Sequence, residues 1–503
     1  MPKLRLSRSG SAELAEVFAL SRLESVHRMI QLTRLVFPHT LAMTFSSQNR
    51  FMAFTNHSPD SNRSHQRMLL RAVIASTVGT SIEWYDFFLY STVTGLVFAK
   101  EFFPKSDPLV GTLQAFLIYA VGFAARPVGA AIFGHYGDRM GRKAALVATL
   151  LLMGIATVLV GFVPNYAQIG IWGAVILTVL RFVQGIGVGG EWGGSVLLAM
   201  EWSKSHGNRG FIASWPQFGV PAGLFLSNLA VLAFNAISGD KFLEWGWRVP
   251  FILSAILIII GLWIRLGILE TPVFSRLVAQ NKLETAPVPE VIKRQPGPIV
   301  LSALIRLAEQ SPFYIFTAFV FSYATTHLKL PTSLLLNAVL LFAVLELFTI
   351  PLSGYISDRL GRKRTYLLGA ALMAVAGFAF FELINTTNPS LVILAILCGA
   401  IPHSLLYGTQ AALIAEQFTP RMRYSGASIG YQLASLIAGG PAPLIAAWLF
   451  AIYKSGTPIA IYIFICALIG FIATLFLREY AHKDISEEYA HVSDPTRSPQ
   501  TQS

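Results

Sequence analysis

A ten-residue segment occurs twice in this chain in nearly the same form. Gly134 to Lys143 reads GHYGDRMGRK, and half a chain later Gly354 to Lys363 reads GYISDRLGRK. Each copy ends one long apolar run and begins another, so each is expected to be a tight polar turn between two membrane-length helices. An Asp-Arg-x-Gly-Arg cluster is costly in hydrocarbon and favourable at an anionic membrane surface, where each Lys or Arg gains about 1 kcal/mol. Both turns are therefore expected on the cytoplasmic side. A chain built twice in this way suits two helical bundles that rock against each other around a central site.

Composition agrees. With 54% hydrophobic and 13% charged residues in 503, there is too little charge to solvate one large globule, and the apolar runs repeatedly exceed the ~18 residues needed to span a bilayer. The expected class is an all-α polytopic membrane protein. A net charge of +12 would suggest nucleic acid in a soluble protein. Here the basic residues fall in alternate short loops, where they set topology, so no nucleic-acid partner is expected. Cys398 and Cys466 are the two cysteines, both inside apolar runs, with no disulfide framework or metal-ligand spacing. No nucleophile-base pair, HExxH motif or phosphate loop is visible, so the chain is not expected to be an enzyme or to carry a cofactor.

Residues 1–67 read as a polar tail with an amphipathic patch from Leu14 to Phe37, either a surface-lying helix or a leader upstream of a start at Met52 or Met68. Twelve helical spans follow, at about 72–98, 109–133, 144–163, 170–198, 211–236, 249–269, 298–325, 332–354, 366–384, 390–416, 424–450 and 458–477. They form two pseudo-symmetric six-helix bundles, 68–269 and 298–477, joined by a Pro-rich cytoplasmic linker, 270–297, and followed by a polar tail, 478–503. Basic residues mark one side: Arg139, Arg142 and Lys143; Lys204 and Arg209; Arg276, Lys282, Lys293 and Arg294; Arg359, Arg362, Lys363 and Arg364; Arg421 and Arg423. The opposite loops, 164–168 and 385–390, are uncharged. Both termini are therefore expected in the cytoplasm.

Ionisable side chains inside a bilayer cost roughly 2.5–3.5 kcal/mol on insertion scales and mark pathways. Glu83 and Asp86 lie three apart on one face of span 1; Arg126 is in span 2, Arg181 and Glu191 in span 4, Arg306 and Glu309 in span 7, and Glu346 in span 8. A carboxylate facing arginines at mid-depth alternates between holding a proton and holding an ion pair. An arginine beside it clamps a substrate carboxylate bidentately. The expected proton-coupling set is Asp86, Glu83 and Arg181. The expected substrate set is Arg126, Arg181, Tyr85, Gln184, Arg306 and Glu309. Glu191 in VGGEWGG reads equally as support for a closely packed helix, and His403 in AIPHSLLYG as a packing residue.

The repeated motif resembles the loop between helices 2 and 3 of the major facilitator superfamily, repeated between helices 8 and 9. Successive segments, GTSIEWYDFFLY, FAARPVGAAIFGHYGDRMGRK, RFVQGIGVGGEWGGSVLLAMEW, GWRVPF, ETPVF and IGYQLASLIAGGPAPLIAAWL, resemble its metabolite:proton symporter family over about 72–480. The resemblance implies a twelve-helix, proton-coupled importer in a bacterial inner membrane, functionally monomeric. It implies substrates such as citrate, 2-oxoglutarate, shikimate, proline or betaine. It places the anion-binding arginine at Arg126, the acidic position at Asp86 and the span-4 arginine at Arg181. The gating motif falls on Gly134, Asp138, Arg139, Gly141 and Arg142, with Asp358, Arg359, Gly361 and Arg362 in the second copy. Residues 478–503 lack the heptads of the osmosensing members, which disfavours betaine and proline.

The expected activity is symport of a small organic anion with a proton: Asp86 takes a proton and releases an arginine partner, the anion binds Arg126, and the Asp138–Arg139 and Asp358–Arg359 turns let go. The alternatives are a zwitterion symporter, an uncoupled facilitator or exchanger, and a nutrient receptor without flux.

Overall fold

A backbone in hydrocarbon must satisfy its own hydrogen bonds, and every long apolar run of this sequence does so as helix. The structure, a computed structural model, describes residues 59–106, 108–202, 207–280 and 282–483. The tail up to residue 58 with its Leu14–Phe37 patch and Met52, Lys204, and the tail beyond 483 lie outside the described residues.

The twelve long helices are α1 Pro59–Val93, α2 Pro108–Met140, α3 Arg142–Val160, α4 Trp172–Met200, α5 Arg209–Ser238 and α6 Arg248–Leu266 in the first half. The second half holds α7 Pro296–Thr325, α8 Thr332–Leu360, α9 Arg362–Ile384, α10 Pro389–Ala415, α11 Arg423–Tyr453 and α12 Thr457–Phe476. Among the described residues there is no strand. Eleven of the helices are long and apolar enough to cross a membrane. The remaining one, α1, is diluted by Glu83, Asp86 and a series of hydroxyls, which it buries against its neighbours. The outer skin is apolar: Trp263, Phe348 and Phe476 are each more than two-thirds exposed, as suits side chains that meet lipid.

Packing repeats with the sequence. In the first half α2 packs on α4, α3 on α4 and α3 on α6; adding six to each number gives α8 on α10, α9 on α10 and α9 on α12, all present. Between halves α2 meets α11 and α5 meets α8, a pair that the same operation exchanges. Glycines allow the closest approaches. A Cβ on Gly189 of α4 would strike the Arg126 carbonyl of α2, and one on Gly223 of α5 would strike the Trp84–Tyr85 backbone of α1. The linker is not plain coil, because it contains two short helices, Pro272–Ala279 and Pro287–Arg294.

The structure corrects the expected polar turn. α2 runs on through Asp138 and Arg139, and α8 through Asp358 and Arg359, so that the break is only Gly141 or Gly361. These glycines have φ of 111° and 98°, which side-chain-bearing residues rarely adopt. The amides of Lys143 and Lys363 then donate to Glu270 Oε2 at 3.1 Å and Glu479 Oε2 at 2.9 Å. Wide turns with i→i+5 bonding interrupt the regular helix at Thr94–Phe98 after α1, at Ile315–Phe319 and Tyr323–His327 in α7, and at Ser435–Gly439 in α11. Such turns recur at functional sites. Nothing in the residue pattern announces them.

Candidate functional site

Four ionisable groups of the first half converge from three helices. The guanidinium of Arg126 lies 4.5 Å from the Phe123 ring centroid, 4.7 Å from Phe87 and 5.8 Å from Trp84. That of Arg181 lies 4.3 Å from Tyr90, 4.8 Å from Tyr119 and 5.2 Å from Phe87. Both arginines are 3% exposed, and among the described residues neither has a carboxylate within 4.0 Å. Each ring face returns about 0.5–2 kcal/mol. A buried ion costs several kcal/mol, so the positive charge remains under-compensated.

The carboxylates nearby are also incompletely matched. Asp86 Oδ1 accepts from Ser254 Oγ of α6 at 2.9 Å, while Asp86 Oδ2 and Glu83 Oε2 have no partner although buried. The expected Asp86–arginine pair is therefore not formed. Ser254 draws Asp86 toward α6, and Arg181 Nη1 donates instead to Gln184 Oε1 at 3.2 Å, with Gln184 Nε2 donating to Thr157 Oγ1 at 2.7 Å. Tyr85 also turns toward α6, its hydroxyl donating to the Pro250 carbonyl at 3.2 Å. Glu191 takes its structural reading: it accepts from Arg265, from Ser195 at 2.7 Å and from Thr149 at 3.0 Å.

Between the halves is a small pocket whose walls include Trp84, Arg306, Glu309, Tyr314, His403 and Tyr431. Trp84 links it to the Arg126 cage. Arg306 donates to the Tyr431 carbonyl at 2.5 Å and to Glu309 Oε1 at 3.2 Å, and sits 3.3 Å from the centre of the Tyr431 ring. That ring stacks at 3.6 Å on Trp192 of α4, so one aromatic pair joins the halves beside the cavity.

One end of the interface is clasped twice. Asp138 accepts from the amides of Tyr424 at 3.3 Å and Ser425 at 2.9 Å, where α11 begins; Asp358 accepts from Gly210 at 2.9 Å and Phe211 at 2.8 Å, where α5 begins. Each motif aspartate thus occupies the electropositive start of a helix of the other half. The charges continue in parallel. Arg142 pairs with Asp138 at 3.2 Å and Glu201 at 3.5 Å, and Glu201 faces Arg423 at 3.6 Å. Arg362 pairs with Asp358 at 2.7 Å and Glu416 at 3.5 Å, and Glu416 meets Arg209 at 3.0 Å. Gly134 belongs to the same crossing, since a Cβ there would lie 2.8 Å from Ser425 Cα. The first motif arginines stand outside the clasp: Arg139 is exposed near His135 at 3.3 Å, and Arg359 lies over Tyr355 at 5.0 Å. Within the clasp each aspartate pairs with the second arginine of its motif, Arg142 or Arg362.

Comparison with known proteins bears on this architecture. Residues 71–299 match the family model for sugar (and other) transporters, and residues 313–498 match that for the major facilitator superfamily. An inner membrane metabolite transport protein of Escherichia coli, YhjE, is 40% identical over 425 residues, covering 82% of this chain and 95% of that one. The chain belongs to the major facilitator superfamily.

Other relatives of this superfamily transporter include the shikimate transporter of E. coli, 39% identical over 81% of this chain and 94% of its own. A proline/betaine transporter of Salmonella typhimurium is 32% identical over 85% and 87%. Among solved structures, the proton:xylose symporter XylE bound to 6-bromo-6-deoxy-D-glucose has a TM-score of 0.70 at 19% identity, covering 84% of this chain and 98% of that one. The transporter accordingly has the twelve-helix fold of two pseudo-symmetric six-helix bundles, is a multi-pass membrane protein, and is not an enzyme. Several groups at its interface carry no site role in the sequence: Glu201, Glu416, Trp192 and Tyr431 do not stand out, Arg209 and Arg423 read as setting topology, and His403 reads as packing. For the clasp a signal existed. Glu201 and Glu416 stand at equivalent helix ends of the two repeats, as do Arg209 and Arg423 at equivalent helix starts.

Proposed function

We propose that this transporter is a proton-coupled symporter that imports a small organic acid across a bacterial inner membrane by alternating access. The observation that carries the reading is the under-compensated pair Arg126 and Arg181 beside carboxylates with unmatched oxygens, Asp86 and Glu83. Two buried cations without counter-ions fit an anion, and an unmatched buried carboxylate oxygen fits a proton. The relatives support it: one is named for shikimate, and XylE is described as a proton symporter.

The clasped face is read as cytoplasmic, with both termini on that side. In this arrangement the cytoplasmic path is shut. A proton reaches Asp86, with Glu83 next to it, and a carboxylate bridges toward Arg126 and Arg181. Neutralising these charges lowers the cost of closing the site away from water. The bodies 68–269 and 298–477 then rock about the linker 270–297, the two clasps part, and acid and proton leave. The proton gradient is the driving force; no cofactor is needed, and a monomer suffices. The proline/betaine relatives favour a zwitterion as second reading. A zwitterion brings no net negative charge to the two arginines, and the acid is preferred for that reason.

Asp86→Asn tests the coupling. In proteoliposomes the variant is expected to keep exchange of labelled acid across the membrane and to lose uphill accumulation driven by an inward proton gradient. Full accumulation by Asp86→Asn would remove Asp86 from the coupling.

A further inference from the structure

Helix α1 carries hydroxyls on two faces, and the two faces treat them differently. Thr77 and Ser81 are half-buried, and each donates to the carbonyl one turn back, Val73 and Thr77 respectively, at 2.8 Å. That is how a hydroxyl satisfies itself within a helix. Ser76 and Thr80 are 0% and 1% exposed, yet neither hydroxyl has a partner. Further along the same helix Glu83 Oε2, Asp86 Oδ2 and the Tyr90 hydroxyl are buried and unmatched as well. At about 3.6 residues per turn, Ser76, Thr80, Glu83 and Tyr90 fall on one stripe, with Asp86 on its α6 side, where Ser254 donates to it. The Ser76 end of the stripe is the clasped end: Ala75 clusters with Leu146 and Ile268, next to the Gly141 break. Tyr90 stands at the opposite end.

Buried polar groups in native proteins are matched, and an unmatched one calls for a water, an ion or a chemical role. Here the spacing decides among them. Successive members are three or four residues apart, a rise of about 4.5–6 Å along the helix. One water bonded to both neighbours at about 2.8 Å each covers that interval. The set extends over ~21 Å in all, so its oxygens do not gather about one point as the ligands of a metal ion do. We infer that this stripe is the proton's route to the clasped face: Asp86 and Glu83 hand the proton along bridging waters to Thr80 and Ser76, which lead it out. A hydroxyl suits the task because it donates and accepts at once, so a proton arriving on one side leaves from the other. The charges around the two carboxylates are Arg126 on α2, Arg181 and Glu191 on α4 and Arg265 on α6. Arg265 packs against α1 at Gly79, where an added Cβ would strike its guanidinium, and Glu191 pairs with that guanidinium. The cation beside the leg from Glu83 to Ser76 is thus neutralised. The inference rests on the proton-coupled reading of Asp86 and adds the route.

The test uses the full chain in proteoliposomes and whichever of labelled shikimate, 2-oxoglutarate, citrate and proline the wild type takes up. Two rates are compared. Exchange of labelled for unlabelled solute at equal pH on both sides needs no net proton movement; uptake driven by an inward proton gradient does, and is read together with a pH dye trapped inside. Thr80→Val keeps the shape and removes the hydroxyl. It is expected to leave exchange within about twofold and to slow driven uptake and acidification about tenfold, the loss of one hydrogen-bonded bridge in the path. Ser76→Ala is expected to do the same, and Thr80→Ser to retain the wild-type rate. A packing defect would slow exchange and driven uptake alike. Driven uptake at the wild-type rate in both Thr80→Val and Ser76→Ala, or equal slowing of the two rates, overturns the route and leaves the coupling at Asp86 standing. Wild-type uptake indifferent to the gradient overturns the coupling and the route with it, and uptake of none of the four solutes overturns the transport reading on which both rest.

Discussion

Arg126→Leu is expected to weaken binding of the transported acid about 100-fold or more while leaving the unliganded protein no less stable. Truncating one partner of a buried charge pair costs about 2–5 kcal/mol, and 1.4 kcal/mol is tenfold in affinity. Stability moves differently because Arg126 makes no ion pair within 4.0 Å among the described residues; its removal relieves the burial of a cation and forfeits the ring contacts with Phe123, Phe87 and Trp84. Arg142→Leu is the contrast. It strands Asp138 and Glu201 in a buried setting, where loss of one partner costs about 3–5 kcal/mol, so its thermal midpoint is expected to fall. Arg126→Lys keeps the charge and loses the fork, so its affinity is expected between wild type and Arg126→Leu. Titration of the acid together with thermal unfolding of the unliganded variants checks all three. A large drop in unliganded stability for Arg126→Leu would make Arg126 a structural residue.

Asp138→Ala and Asp358→Ala are each expected to shift the protein toward opening at the clasped face. Each aspartate accepts two amide protons from the opposite half, and hydrogen bonds to charged groups contribute about 1.5–3 kcal/mol each. On opening these amides regain water, so a net of about 1.5–3 kcal/mol per aspartate is the reasonable scale, a shift of roughly 10- to 150-fold in the open-to-closed ratio. The double variant approaches the ~5.5 kcal/mol that carries an equilibrium from 99:1 to 1:99. The exposed positions Arg139 and Arg359 accept spin labels as cysteines once Cys398 and Cys466 are replaced. The distance between the labels is expected to lengthen in each variant and most in the double one. Unchanged distance distributions would mean that the clasps do not hold the face shut.

The pattern of charges and apolar runs announced the architecture, and the reason is physical. Hydrocarbon leaves a chain few options, so run length and loop charge determine helices and their order, and a motif present twice implies a structure present twice. What lay beyond the pattern depends on how each helix is rotated about its own axis. Asp86 and Arg181 occupy neighbouring helices, yet Ser254 on α6 takes one and Gln184 the other. The same limit affected the clasp: Arg139 and Arg142 look alike in sequence, but about one helical turn separates an exposed side chain from one that joins Asp138 to Glu201. His403 read as packing because its partner, Glu346, lies on another helix. The wide turns of α7 and α11 have no composition of their own.

The most direct measurement is uptake of labelled shikimate into proteoliposomes holding the purified chain, with and without an inward proton gradient. Proton-coupled symport of a small organic acid predicts accumulation above the external concentration that collapses when the gradient is dissipated. Equilibration indifferent to the gradient, or accumulation of betaine and not of acids, would contradict it.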